Sequence, residues 1–144
     1  VISVPLIPTT AVLPYLYRPY QIYDRVQWES LTIYYRPSVG TTTNGVVSYG
    51  IDWNSENSMS SRSQVLSLSP VADHAVWQTT ENNPIRTPKD LLQSRKWFTT
   101  QDAGDKSKFD LGPGSVIWAT STGSTASVGE LWVEYKVRLV GTRI

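Results

Sequence analysis

The sequence reads as an all-β sandwich or barrel, and three of its features point there. The first is the stretch from Val128 to Val140, VGELWVEYKVRLV. From Leu131 it alternates without a break, with Leu131, Val133, Tyr135, Val137 and Leu139 on one side and Trp132, Glu134, Lys136, Arg138 and Val140 on the other. A period of two marks a half-buried strand, whereas a helix would scatter the five apolar positions around its axis and leave no face to bury. The second is composition. Six Trp and eight Tyr, each able to bury about 150–250 Å², favour strands over helices together with the many Val and Thr. The third is the spread of nine Gly and nine Pro along the whole length, which supplies corners between short strands.

Residues 1–20 carry four prolines among aliphatics, which predicts an edge strand or packed extended arm with one short strand at most. Val26 to Arg36 is a strong strand in which Val26, Trp28, Ser30, Thr32 and Tyr34 alternate with Gln27, Glu29, Leu31, Ile33 and Tyr35. Both faces are partly apolar, so it is expected to lie centrally and to be covered on both sides. Pro37 to Gly45 is a loop, and Asn44-Gly45 signals a two-residue hairpin into a strand over Val46 to Asp52. Ser60 to Leu68 suits a short helix, Ala75 to Thr79 a short strand, and Thr87 to Ser94 a helical turn opened by Thr87-Pro88 with Asp90 in its first turn. Arg95 to Thr99 and Ser115 to Ser121 read as strands, with loops at Gln101 to Lys108 and Ser121 to Ser127. The closing strand needs a sheet already built to receive its apolar face.

At 144 residues the chain fits one domain that buries most of its unfolded surface without staples. There is no cysteine, so neither disulfides nor thiolate metal sites contribute. The net charge of +1 arises from 13 dispersed basic and 12 acidic residues, which makes this stretch no obvious polyanion binder. No apolar run reaches the roughly 18 residues of a membrane helix, and the first residues lack a basic-then-apolar signal pattern, so a soluble product with no membrane partner is expected.

Catalysis is poorly supplied, and no enzyme is expected. The single histidine, His74, adjoins Asp73, but neighbours on a strand point to opposite faces, so the pair is not a base with its orienting carboxylate. One His and no Cys leave zinc and cupin-type centres without ligands, and no glycine-rich phosphate loop or Asn-x-Ser/Thr glycosylation signal is present. One cluster suits a hard cation. Asp52, Asn54 and Asn57, with Glu56 among them, put oxygen ligands at near-alternate positions just past a strand end. The competing explanation is an Asx-rich turn whose side chains bond their own backbone.

Several segments, in order, resemble the shell domain of small icosahedral plant-virus coat proteins of the tombusvirus and sobemovirus kind. They are YDRVQWESLTIYYRPSVGTTTNGVVSYGIDWN (Tyr23 to Asn54), SRSQVLSL (Ser61 to Leu68), IRTPKDLLQSRKWF (Ile85 to Phe98) and DLGPGSVIWATSTGSTASVGELWVEYKVRL (Asp110 to Leu139). The likeness runs from about Leu13 to Leu139. Its most specific parts are the strand, Gly-Thr-Thr, strand, Asp arrangement and the small-residue loop leading into Val-Gly-Glu-Leu.

The resemblance implies an eight-stranded jelly roll of two four-stranded sheets, one shell domain over residues 1–144. Two departures from the family pattern are expected within this chain: no protruding domain, and no basic N-terminal arm of the kind family members carry. The resemblance implies a capsid protein that encloses viral RNA in a many-copy homo-oligomeric shell, located in the virion and in host cytoplasm during assembly. It also turns Asn44-Gly45 from a hairpin into a corner between sheets. Calcium between subunits is implied at Asp52, Asn54 and Asn57, with Asp90 donated by a neighbour, although Asn stands where two acids are usual. The implied RNA contacts within the shell are Lys89, Arg95 and Lys96, against a solvated face as the plain alternative. Trp53 and Trp97 are candidates for subunit contact, and most of the six Trp are expected in the core. A carbohydrate-binding jelly-roll module, stacking Trp and Tyr on sugar rings, is the competing function.

Overall fold

The computed structural model describes residues 1–54, 57–100, 108–122 and 127–142, so most of the two expected loops and Glu56 lie outside the described residues. In chain order it forms β1 (Ile2–Pro5), α1 (Pro14–Tyr20), β2 (Tyr23–Pro37), β3 (Gly45–Asp52), α2 (Arg62–Val65), β4 (Val71–Ala75), β5 (Ile85–Arg86), α3 (Lys89–Leu92), β6 (Phe98–Thr99), α4 (Lys108–Leu111), β7 (Ser115–Thr122) and β8 (Gly129–Thr142). The eight strands make two four-stranded sheets, and the first runs β1-β7-β3-β4, antiparallel throughout. In the second, β8 pairs along β2 from Tyr23↔Thr142 to Pro37↔Gly129. β5 and β6 therefore share the opposite edge of β2 end to end, at Ile33↔Ile85 and Val26↔Phe98.

The gap between β5 and β6 is bridged by the α3 region. Thr87 N and Oγ1 both donate to Leu31 O, at 3.2 and 3.1 Å, and Gln93 Nε2 donates to Trp28 O at 2.9 Å. β2 thus has no free edge left for β3. That is why Asn44-Gly45 forms a corner that passes the chain to the first sheet, and the hairpin suggested by the dipeptide alone does not form. β8 has no strand on its second edge among the described residues.

A register shift between Trp28 and Ser30 resolves the two-faced pattern of β2. The bulge at Glu29 changes the phase of the strand. Val26 and Trp28 before it, and Leu31, Ile33 and Tyr35 after it, all reach the core. They meet Val47, Tyr49, Ile51 and Val116 of the first sheet, with Leu16, Tyr20, Leu92 and Phe98 closing the ends. The expected cover on both faces of β2 is met in part: on its outer face Gln27 and Tyr34 are buried, while Arg25 and Arg36 are exposed. The first sheet is the one covered twice. On its outer side Val65 of α2 packs on Ile117 and Ala119 with Met59 and Leu68.

Short elements departed most from expectation. Pro14 begins α1 and Pro19 lies in its last turn, so two of the prolines that argued for extended chain cost the helix few of its own hydrogen bonds. The α2 helix is held by a capping box between Ser61 and Gln64 and is shorter than Ser60 to Leu68. The strand placed at Ala75 to Thr79 is Val71–Ala75 instead, because Gly50↔Val71 through Val46↔Ala75 is the register that pairs with β3. The strand placed at Arg95 to Thr99 shrinks to Phe98–Thr99.

Candidate functional site

The Asp52 end of β3 is the place where chemistry-bearing residues converge. Asp52 pairs in register with Ser115, and the Gly112-Pro113-Gly114 turn lies against it so closely that a Cβ on Gly114 would stand 2.6 Å from Asp52 O. With this packing Asp52 is 6% exposed. Its Oδ1 accepts from Asn54 N at 2.9 Å and from Asn57 Nδ2 at 3.5 Å, while Asn54 Nδ2 donates to Asn57 Oδ1 at 3.0 Å and Asn57 N to Asn54 O at 3.1 Å. The local bonding is that of an Asx turn. It leaves Asp52 Oδ2 buried with no hydrogen-bond partner.

A carboxylate oxygen buried without a partner is expensive, and Asp52 Oδ2 is in that position. Among the described residues no group of three or more His, Asp or Glu converges. Among the described residues this turn holds the Asp52 carboxylate and the Asn54 and Asn57 amide oxygens, where calcium takes six to eight oxygens. Asp90 is exposed on α3.

The remaining candidates separate. Lys89 and Lys96 are exposed. Arg95 is engaged: its guanidinium is 2.7 Å from Asp110 Oδ1 and 6.0 Å from the Phe98 ring centroid. Trp53 is held to the body by Nε1 donating to Ser69 O at 2.9 Å and by packing on the core, so it completes the core margin. Trp97 is half-buried beside Arg25, Arg95, Thr99 and Asp110. Of the six Trp, Trp28, Trp53 and Trp118 belong to or pack on the core, while Trp77 and Trp132 are 39% and 41% exposed. The signal for Trp132 was present in the alternation of β8, where it is the one aromatic in the polar row.

His74 is structural. Its Nδ1 lies 2.7 Å from Ala75 O and its Nε2 3.1 Å from Tyr49 Oη, and Tyr49 Oη is 2.8 Å from Thr80 Oγ1, which accepts from Tyr35 N at 2.8 Å. Asp73 faces the other way, bonded to Ser48 Oγ and Arg62, both at 2.7 Å. Burial pushes its pKa up, but those hydrogen bonds and the Arg62 charge outweigh it and hold the carboxyl below its ordinary value. Burial raises Tyr35, Tyr49 and Tyr135 above the usual phenol value.

The family model described as viral coat protein (S domain) matches residues 1–144. The capsid protein of Cucumber necrosis virus is 28% identical over 129 residues, 89% of this chain and 32% of that protein. The capsid protein of Melon necrotic spot virus is 30% identical over 128 residues, 88% of this chain and 31% of that protein. The X-ray structure of Melon necrotic spot virus superposes with a TM-score of 0.85 at 26% identity, covering 98% of this chain and 46% of that one. This chain thus spans about a third of the length of the two capsid proteins.

Proposed function

The chain belongs to the viral coat protein S-domain family, and on that premise we propose that its work is structural: copies associate into an icosahedral shell that encloses an RNA genome. The observation that carries the proposal is the match of the family model along all 144 residues. The fold agrees with it. A groove of about 300 Å³ lined by Leu6, Leu13, Val116, Leu131 and Val133 lies open beside the unpaired edge of β8, and Leu131, Val133, Tyr135, Val137 and Leu139 are only partly buried. An isolated domain has little reason to leave that much apolar surface uncovered, and further polypeptide in an assembly would cover it. The product belongs in the virion, after assembly in host cytoplasm.

Within that function, calcium is proposed at the Asp52 turn, with Asp52 Oδ2 and the Asn54 and Asn57 amide oxygens on one copy and Asp90 from a neighbour. Bound calcium would neutralise carboxylates brought together at a subunit boundary, and stripping it would leave them to repel. Lys89, Arg95 and Lys96 are proposed to face RNA, with Arg95 released from Asp110 only when phosphate competes.

Sedimentation of the full-length coat protein tests the main proposal. A multi-megadalton, RNA-containing species supports it, and a protein that stays at subunit mass in every buffer overturns it. For the ion site, wild-type particles should swell when chelator is added at raised pH. Asp52→Ala particles should be swollen before treatment, and particles indifferent to both changes would remove the ion from the account.

A further inference from the structure

The loop that carries the chain from β4 to β5 frames an open recess of about 430 Å³, lined by His74, Trp77, Gln78, Thr79, Thr80 and Asn83. The loop is pinned to β2 and β3. Thr79 Oγ1 and Thr80 N both donate to Tyr35 O at 3.2 Å, Tyr35 N donates to Thr80 Oγ1 at 2.8 Å, and Val76 N donates to Gly45 O at 3.2 Å. Both ring nitrogens of His74 are engaged, by Ala75 O and Tyr49 Oη, so it serves as a wall. Three groups stay open. Trp77 is 39% exposed. Gln78 Oε1 accepts from Ala75 N at 3.1 Å, which orients the amide and leaves Nε2 without a partner among the described residues. Asn83 is exposed, and no hydrogen bond ties its side-chain amide down among the described residues.

We propose that this recess binds a neutral saccharide, one hexopyranose unit of a glycan. A pyranose has a face of C–H groups and a rim of hydroxyls that each donate and accept. An exposed indole meets the first with a rigid apolar plane, and primary amides, each with a carbonyl oxygen and two N–H donors, meet the second. Charge disfavours the competing ligands. Among the described residues no Asp, Glu, Lys or Arg lines the recess, and Glu81 of the same loop is paired with Arg36. A phosphate or a single strand of RNA needs cations there. Because the loop is pinned before any ligand arrives, little ordering is left to be done on binding. Few groups make contact in an open recess, so a single site should hold a monosaccharide with a dissociation constant on the order of 1 mM. The site is complete within one copy and lies at the Gly45 end of β3, away from the Asp52 turn at the other end. It goes beyond the coat reading and does not depend on it.

Full-length protein is titrated with a panel of neutral methyl hexopyranosides, with ribose 5-phosphate as the anionic control, and binding is read by saturation-transfer NMR while shell yield is measured in parallel. Wild type should transfer saturation to the ring C–H protons of at least one neutral glycoside and not to the phosphate. Trp77→Ala should weaken that binding by about tenfold or more, while Trp77→Phe, which keeps an aromatic plane, should stay within about threefold of wild type. Gln78→Glu keeps the Oε1 acceptor for Ala75 N and loses the amide donor; it and Asn83→Ala should each weaken binding about fivefold, with melting temperatures near that of wild type. If no neutral glycoside binds wild type at about 20 mM, or if Trp77→Ala binds as wild type does, the inference is overturned. If ribose 5-phosphate binds in their place, the ligand is an anion and the saccharide is overturned as well. If Trp77→Ala lowers shell yield while wild type binds no sugar, the loop meets a neighbouring copy, which overturns the saccharide and leaves the coat reading standing. If wild type binds a glycoside through Trp77 and yet forms no shell, the coat reading fails and this site stands.

Discussion

Replacing Tyr35 by Phe isolates one hydroxyl on which the two sheets converge. The side chain is 2% exposed, its Oη lies 2.8 Å from Val76 O and 2.9 Å from Val128 O, and its ring packs against Tyr49 and His74 at 6.4 and 5.2 Å. Val76 follows β4 of the first sheet and Val128 precedes β8 of the second. Phenylalanine keeps the ring contacts and removes the donor. Val128 O still accepts from Ser38 N at 2.9 Å, but Val76 O loses the hydroxyl. Leaving a buried acceptor unpaired costs about 1–3 kcal/mol. For a domain of this size each kcal/mol moves the melting temperature by about 3–4 °C, so Tyr35→Phe should melt about 3–12 °C lower. Tyr35→Leu, which also loses ring packing, should fall further. Calorimetry gives the shift, and hydrogen exchange should show the loss of protection concentrated around Val76 to Thr80. If Tyr35→Phe melts within about 1 °C of wild type, the hydroxyl is no tie between sheets and the reasoning from its two carbonyls is wrong.

Three further outcomes follow from named contacts. The raised Tyr35, Tyr49 and Tyr135 keep their protons longer folded than unfolded, so their contribution is intact below the ordinary phenol value near 10 and is lost as pH rises past it; thermal melts across that range should show a steep alkaline limb, shallower in Tyr49→Phe. Asp73 behaves oppositely. Its lowered pKa adds stability above the ordinary value of 3.8 that is lost as pH falls below it, and Arg62→Ala should flatten this acid limb while lowering the melting temperature at neutral pH. Gly114→Ala drives a methyl to 2.6 Å from Asp52 O, so the backbone of the Asp52 turn must shift, costing about 1–3 kcal/mol in a denaturant melt; an unchanged midpoint would contradict the close packing that buries Asp52.

Long-range order was legible where one residue type repeats a physical rule. β8 was plain because its alternation runs unbroken from Leu131 to Leu139, and β3 because a buried strand ends at an aspartate. β2 was located but misjudged in its faces. A one-residue bulge at Glu29 leaves no mark in composition and reverses which residues point inward. The Asn44-Gly45 dipeptide was a true turn with the wrong partner, since whether a turn closes a hairpin depends on which edges other strands have already filled. β5 and β6, two residues each, are too short for any periodicity and exist because β2 offers them an edge. At the candidate site the Asp52, Asn54 and Asn57 constellation was visible from spacing. The burial of the carboxylate was not, because it depends on Gly114, distant in sequence and adjacent only in the sheet.

Cryo-electron microscopy of particles formed by the full-length protein bears most directly on the claim that this double sheet is a shell-forming unit. The account predicts a continuous wall tiled by copies of the domain, with the Asp52 turn lying between neighbours. A wall built from some other part of the protein, with this domain hanging free of its neighbours, would contradict it.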